Sequence, residues 1–207
     1  MEIISADSAE ALRSFSAKIR DTIASHGVVA FPTDTVNGIG CSIYDEAAIG
    51  KLINIKGRDA SKGLAVLVSS MVEARRLAEF DGGAERLAKA FWPGPFTMLL
   101  PLRDKRVNPR VAPSGRIAVR MPDNDVARAM ADEFDGAVVG TSANESGKKP
   151  IDDFGEMAEK LPGIDVVVKS ASARSGASST IFDVTENRVV REGEITLRQI
   201  RGVLDGN

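Results

Sequence analysis

Three glycine- and hydroxyl-bearing segments stand out for the chemistry their residue types allow. Thr141-Ser142-Ala143-Asn144-Glu145-Ser146-Gly147 follows the apolar run Gly136–Gly140. Pro32-Thr33-Asp34-Thr35-Val36-Asn37-Gly38-Ile39-Gly40 follows Val28-Val29-Ala30-Phe31. Lys56-Gly57-Arg58-Asp59-Ala60-Ser61-Lys62-Gly63 precedes Leu64-Ala65-Val66-Leu67-Val68. Small polar residues at strand ends offer many hydrogen-bond donors and little bulk, so backbone N–H groups can lie against phosphate or carboxylate oxygens. Together the segments point to one polar site for an anionic ligand.

Charge placement agrees with this. The chain has 207 residues, with 27 Lys and Arg against 29 Asp and Glu, a net charge of −2. That balance gives no support for bulk nucleic-acid binding. Yet Arg103, Lys105, Arg106, Arg110, Arg116 and Arg120 face only Asp104 between positions 103 and 120. Lys56, Arg58, Lys62, Lys148, Lys149, Arg174, Arg188 and Arg191 also fall in or beside expected loops. A basic face on an acidic chain suits a phosphate-bearing ligand. For any one of these side chains the plain alternative is a solvated surface. Cys41 is the only cysteine and His26 the only histidine, so a Cys-based metal cluster or an intrachain disulfide is excluded. No signal segment or membrane-length apolar run is present, and a cytoplasmic location is expected.

The elements that must carry these segments read from periodicity and capping. A strand at 2–5 precedes a helix opened by Asp7 with Glu10, striped by Leu12, Phe15, Ile19 and Ile23 and closed by Gly27. Strand 28–31 follows, then a helix capped by Asp45 that ends near Gly57. Strand 64–68 leads to a helix opened by Ser70 with Glu73, and Gly82-Gly83 breaks the chain before helix 84–91. Trp92-Pro93-Gly94-Pro95 is a rigid turn, because two prolines forbid a continuing helix. Strand 96–100, a loop over 103–115 with room for a short strand, strand 117–120, helix 123–134 and strand 137–140 come next. Helix 152–161, strand 164–168, a hairpin of 180–184 with 188–191, and a helix capped by Thr196 with Gln199 complete the chain. Helices and late strands alternate irregularly. The expectation is a single α/β (α+β) domain over 1–207, with a twisted mixed open sheet flanked by helices.

Read in order, seven segments resemble the threonylcarbamoyl-AMP synthase family, the YrdC-like domain. They are PTDTVNGIG at 32–40, KGR at 56–58 with LAVLV after it, WPGPFTMLL at 92–100, IAVRMPD at 117–123, TSANESG at 141–147, SSTIFD at 178–183 and VVREGEIT at 189–196. Any one alone is weak; seven in order across nearly the whole chain are specific. The resemblance implies a YrdC-like fold with a concave basic cavity, in the short single-domain form. It also implies a reaction joining L-threonine, bicarbonate and ATP into threonylcarbamoyl-adenylate and pyrophosphate. Mg²⁺ would enter with ATP, and no protein-ligated metal is expected. A partner complex would pass the threonylcarbamoyl group to tRNA. The chemistry asks for positioning and stabilisation of phosphate charge rather than a protein nucleophile.

By resemblance, Thr35, Arg120, Gly140 and Ser179 are the threonine contacts. Arginine suits a carboxylate because its planar fork gives parallel hydrogen bonds. Lys56, Arg58, Lys62, Arg116, Ser142, Asn144, Pro150 and Arg191 are the ATP-side positions. The plain alternatives are a self-bonded loop hydroxyl for Thr35, a helix C-terminal charge pair for Lys56 and Arg58, and a strand-end surface residue for Arg120. Three departures stand out: Asn37 where the family often has an aromatic residue, Leu67 where longer relatives carry histidine, and Lys62-Gly63 where they have Asn-Pro. Serine or another small amino acid is therefore an alternative substrate. Cys41 reads as buried packing, His26 as a helix-end charge, and Trp92 and Phe96 as core or turn anchors. Two other functions compete: a tRNA or double-stranded RNA-binding module, and a related carbamoyl transfer from carbamoyl-phosphate. The serines and glycines of 172–179 make that stretch the best lid candidate.

Overall fold

The computed structural model describes residues 1–57, 63–171 and 176–206. Its strands divide between two mixed sheets rather than one. The first contains β1 (Glu2–Ser5), β9 (Val166–Lys169), β2 (Val29–Phe31), β3 (Gly38–Gly40) and β8 (Thr141–Ser142), in that order. The second runs β11 (Arg188–Arg191), β10 (Thr180–Asp183), β5 (Phe96–Pro101), β6 (Arg116–Arg120), β4 (Ala65–Val68) and β7 (Ala137–Val139). In the first, β1, β9 and β2 are parallel and β3 and β8 join antiparallel. In the second, β10 is parallel to β5 and β4 to β6, while the other pairings are antiparallel.

The apolar runs are continuous because each strand feeds two cores. Val66 and Val68 enter the larger core, whereas Leu67 between them enters the smaller one. Ala30 and Val139 point one way, and Val29, Phe31 and Val138 the other. Successive strand side chains alternate faces, so a strand covered on both sides must be apolar throughout. Helices α3 (Glu46–Lys56), α4 (Met71–Leu77), α5 (Gly82–Phe91) and α8 (Leu197–Asp205) supply Ile49, Leu52, Leu77, Leu87 and Ile200 to the larger core. Helices α1 (Ala9–Arg13), α2 (Ser16–Ala24) and α6 (Asp125–Glu133) supply Leu12, Ile19, Val126 and Met130 to the smaller. The remaining helix, α7, spans Phe154–Lys160.

The sheets meet at a seam. Ser42 bridges Val138, Val139 N–H donates to Cys41 O at 3.0 Å, and Gly140 N–H donates to Ala65 O at 2.8 Å. A Cβ at Gly40 would lie 1.8 Å from Val139 O, so only glycine permits this approach. The chain leaves the second sheet at β7 and enters the first at β8 within two peptide units, which brings TSANESG beside the 32–40 segment.

Several expectations are corrected. The first helix is two short ones. Ser8 caps α1, accepting from Ala11 N–H at 3.1 Å, and Phe15 leaves helical geometry before α2. Asp7 instead accepts from Ala171 N–H at 2.7 Å and Ser170 Oγ–H at 3.1 Å. Gly82 and Gly83 form the first turn of α5, because Asp81 caps Ala84 N–H at 2.7 Å. The 103–115 loop holds a 3-10 turn at Pro113–Gly115 and no strand. Two stretches read as loop, 38–40 and 141–142, are the paired strands β3 and β8.

Asp104 fastens that long loop. It accepts two hydrogen bonds from the Arg106 guanidinium, at 2.9 and 2.7 Å, and one from Tyr44 Oη–H at 3.1 Å. Arg106 holds its carboxyl at about 2, against the opposing effect of burial and with help from the Arg106 N–H and Tyr44. A carboxyl lowered in the folded state stabilises above its unfolded value of 3.8 and loses that contribution as pH falls towards 2. Asp104→Asn is expected to cost about 1 kcal/mol at pH 7, after allowance for an exposed Arg106 partner. The gap from wild type in urea unfolding is expected to close between pH 4 and 2. A gap that stays constant over that interval would contradict this assignment.

Candidate active site

A cleft of about 360 Å³ draws its walls from both sheets. Val36, Ala65, Leu67, Ala118 and Ile181 give it an apolar floor. Lys56, Arg120 and Arg191 supply positive charge, and no carboxylate is among its described lining residues.

Arg120, at the end of β6, is 5% exposed and held on three sides. Its Nε–H donates to Gly94 O at 3.0 Å, its Nη1 to Thr35 Oγ1 at 2.9 Å and its Nη2 to Asp34 Oδ1 at 2.5 Å. The Gly94 carbonyl is fixed by the 92–95 turn, where Trp92 Nε1–H donates to Phe96 O and Gly94 N–H to Met121 O. Trp92 is therefore a turn anchor, as expected. A guanidinium has five N–H donors, so among the described residues two are left unpaired.

Arg191, which also lines the cleft, binds Ser179 O through Nε (3.1 Å) and Nη2 (2.8 Å), and Ser179 Oγ through Nη2 (3.0 Å). Ser179 Oγ also meets Thr97 Oγ1 at 2.9 Å. Gly140 clears the floor: a Cβ there would lie 2.4 Å from Leu67 Cγ.

The third wall is the 142–147 loop. Lys56, at the C-terminus of α3, is buried and donates from Nζ to Ser142 O at 2.5 Å and Asn144 O at 2.8 Å. Its own carbonyl accepts from Ser146 N–H at 2.8 Å. Asn144 Nδ2 ties down Glu145 O and Lys148 O, and Ser142 Oγ–H donates to Asn144 Oδ1. Asp45 caps the start of α3 through Ala47 and Ala48 N–H, and Gly57 ends it in the left-handed region. That start is pinned by His26 Nδ1, 2.6 Å from Asp45 Oδ2. Burial alone would raise the Asp45 carboxyl, but His26 and the two N–H groups hold it below its usual value.

The cleft thus gathers Thr35, Lys56, Arg120, Gly140, Ser142, Asn144, Ser179 and Arg191. Arg116 is placed elsewhere: it sits at the start of β6 and donates to the buried Asp183 at 2.6 Å. Pro150 does not line the cleft either. Arg58 and Lys62 lie outside the described residues, as does part of the 172–179 segment. Cys41 lies at the seam, and burial, with Asp45 nearby, pushes its thiol well above the ordinary range, so it stays protonated. Among the described residues no group of three His, Cys, Asp or Glu side chains could hold a metal ion, and no helix is long and apolar enough to cross a membrane.

A family model for the Sua5, YciO and YrdC proteins, described as telomere recombination, matches residues 21–193. The chain belongs to this family. Within the Sua5–YciO–YrdC family it is 37% identical over 183 residues to a threonylcarbamoyl-AMP synthase of Pyrococcus abyssi, covering 86% of this chain and 53% of that protein. It is 34% identical over 168 residues to a threonylcarbamoyl-AMP synthase of Alkalilimnicola ehrlichii, covering 75% of this chain and 88% of that protein. The crystal structure of P. abyssi Sua5 complexed with L-threonine superposes with a TM-score of 0.87 at 32% identity, over 99% of this chain and 61% of that one. The chain therefore spans about half the length of the P. abyssi relative.

Polar lining residues beyond the expected set include Thr33, Thr97, Thr141, Ser146 and Ser178. Thr33, Thr141 and Ser146 lie within the 32–40 and 141–147 segments, and nothing in their type sets them apart from their neighbours. Thr97 carried a signal, a polar residue inside the apolar strand β5, and it is 1% exposed beside Ser179. Asn37 is fully buried and donates from Nδ2 to Ile151 O and Asp152 O. Its Oδ1 has no partner among the described residues.

Proposed function

We propose that this chain makes L-threonylcarbamoyl-adenylate and pyrophosphate from L-threonine, bicarbonate and ATP. The observation that carries the reading is Arg120, fixed on three sides with two N–H donors left, in one cleft with the Ser142–Gly147 loop. The relatives named threonylcarbamoyl-AMP synthase and the threonine complex of P. abyssi Sua5 supply the substrate class.

In this reading the amino-acid carboxylate takes the remaining Arg120 donors, with Thr35 and Ser179 beside it. The amine attacks carbon dioxide with loss of a proton, or bicarbonate with loss of water, and the resulting carbamate oxygen attacks the α-phosphorus as pyrophosphate leaves. The 142–147 loop faces the phosphates, and Lys56 and Arg191 add positive charge where negative charge grows. By family resemblance Arg58 and Lys62 are further ATP contacts. Mg²⁺ would come with ATP, held through the triphosphate and water, and would offset phosphate charge. The product is a mixed anhydride, activated for transfer to tRNA by a partner complex in the cytoplasm.

Incubation with ATP, Mg²⁺, bicarbonate and L-threonine is expected to release pyrophosphate only when all are present. Release that ignores threonine, or none at all, would remove the reading. Serine is the arm that measures strictness. Leu67 and Val36 make the floor apolar, so loss of the threonine methyl is expected to lower kcat/KM about tenfold or more, as one missing methyl commonly does in an apolar pocket.

A further inference from the structure

We infer that Thr33 is a positioning residue that makes the Thr35 hydroxyl an obligate hydrogen-bond acceptor, so the amino-acid subsite demands an N–H donor at the substrate's α-position. The inference rests on the amino-acid half of the proposed function and deepens it.

It follows from counting hydrogens. A threonine hydroxyl has one O–H and two lone pairs. Thr33 Oγ1 lies 2.7 Å from Val36 O, and a carbonyl cannot donate, so the Thr33 hydrogen is spent there. Thr33 Oγ1 also accepts from Thr35 N–H at 3.1 Å. In the 3.0 Å contact between the two hydroxyls Thr33 must therefore accept and Thr35 must donate. The Thr35 oxygen already receives Arg120 Nη1–H at 2.9 Å. One lone pair is left, in a residue that lines the cleft. The chain of donors runs one way, from guanidinium to Thr35 to Thr33 to the Val36 carbonyl, and each bond polarises the next. Thr33 is 4% exposed and Thr35 3%, so water cannot readily reverse the direction.

Ser179 behaves differently. Its contact with Thr97 can run either way, so Ser179 adapts to donor or acceptor. Of these two hydroxyls, Thr35 is therefore the one with a fixed acceptor role. Beside a carboxylate held by Arg120, the Thr35 lone pair takes one N–H of the α-amine. That leaves the nitrogen lone pair turned away from Thr35 once the amine is deprotonated. An oxo group in the same place would set two acceptors against each other.

The test compares L-2-aminobutyrate with 2-oxobutyrate, which differ only at that position, by calorimetry on wild type, Thr33→Val and Thr33→Ser. Wild type is expected to prefer the amine about 100-fold, the discrimination typical when a buried polar group would be left unpaired. Thr33→Val frees the Thr35 hydrogen, so the preference is expected to fall about tenfold or more. The KM for threonine rises while that for ATP is unchanged, and Thr33→Ser restores both. Should Thr33→Val fail to fold, Thr33→Ala makes the same comparison. A wild-type protein that binds the two acids equally, or a Thr33→Val preference equal to wild type, would overturn the inference. A wild type that turns over threonine normally while failing this test would lose only the Thr33 assignment. A wild type with no threonine-dependent turnover would lose the functional reading as well.

Discussion

Arg120→Ala is expected to lower kcat/KM for threonine by about 100-fold or more, while ATP binding changes little. Charge-assisted hydrogen bonds are worth about 1.5–3 kcal/mol each, and a carboxylate gripped by two N–H donors loses both. Folding is also affected. Asp34, with its side chain 13% exposed, loses its partner, and removing one member of a buried ion pair typically costs about 3–5 kcal/mol. The two effects separate in a double variant. Asp34→Asn with Arg120→Ala removes the stranded charge and is expected to recover much of the stability in urea unfolding, but none of the turnover. Arg120→Lys is expected to fail too, because an ammonium cannot reach Gly94 O, Thr35 and Asp34 in one plane and still face a ligand. An Arg120→Ala protein that folds and keeps a wild-type KM for threonine would mean the carboxylate is held elsewhere.

Much of this was legible in the chain. Asp45, Ser70 and Thr196 announced helix starts because a side-chain oxygen followed by an apolar period has a local cause, and each caps the helix it should. The buried strands showed as unbroken apolar runs because both faces meet a core. β3 and β8 were hidden for the opposite reason. Gly38-Ile39-Gly40 and Thr141-Ser142 are short and carry glycine or serine, and pairing makes them strands: β3 with β2, and then Gly38 with Ser142 and Ile39 with Thr141. That pairing depends on Gly40 at the seam, a contact about a hundred residues apart in sequence. Arg116 shows the same limit. Its type and neighbourhood suggested an anion, but Asp183 on β10 takes its charge. Residue type revealed which chemistry was available; only tertiary pairing decided which groups were left to perform it.

Lys56 brings that distinction to a test. By resemblance it is an ATP contact, yet its Nζ reaches Ser142 O, Asn144 O and, at 3.4 Å, Asn144 Oδ1. A buried ammonium in such a place shapes the loop and lends it charge at the same time. Lys56→Met keeps the aliphatic stem and leaves those oxygens without their donor, at about 1–3 kcal/mol for each stranded group. Under the proposed function this is expected to raise the KM for ATP about 30-fold or more and to leave the KM for threonine within about threefold. Asn144→Ala loosens the same loop from its other side, since Asn144 also holds Glu145 O and Lys148 O. If Lys56 acts by shaping the loop, the two substitutions damage one structure, and the double variant is expected to bind ATP about as weakly as the worse single one. If the ammonium instead reaches the phosphates independently of the loop, the two losses multiply. A double-mutant cycle read by ATP affinity therefore distinguishes a lysine that binds nucleotide from one that builds the surface on which nucleotide binds.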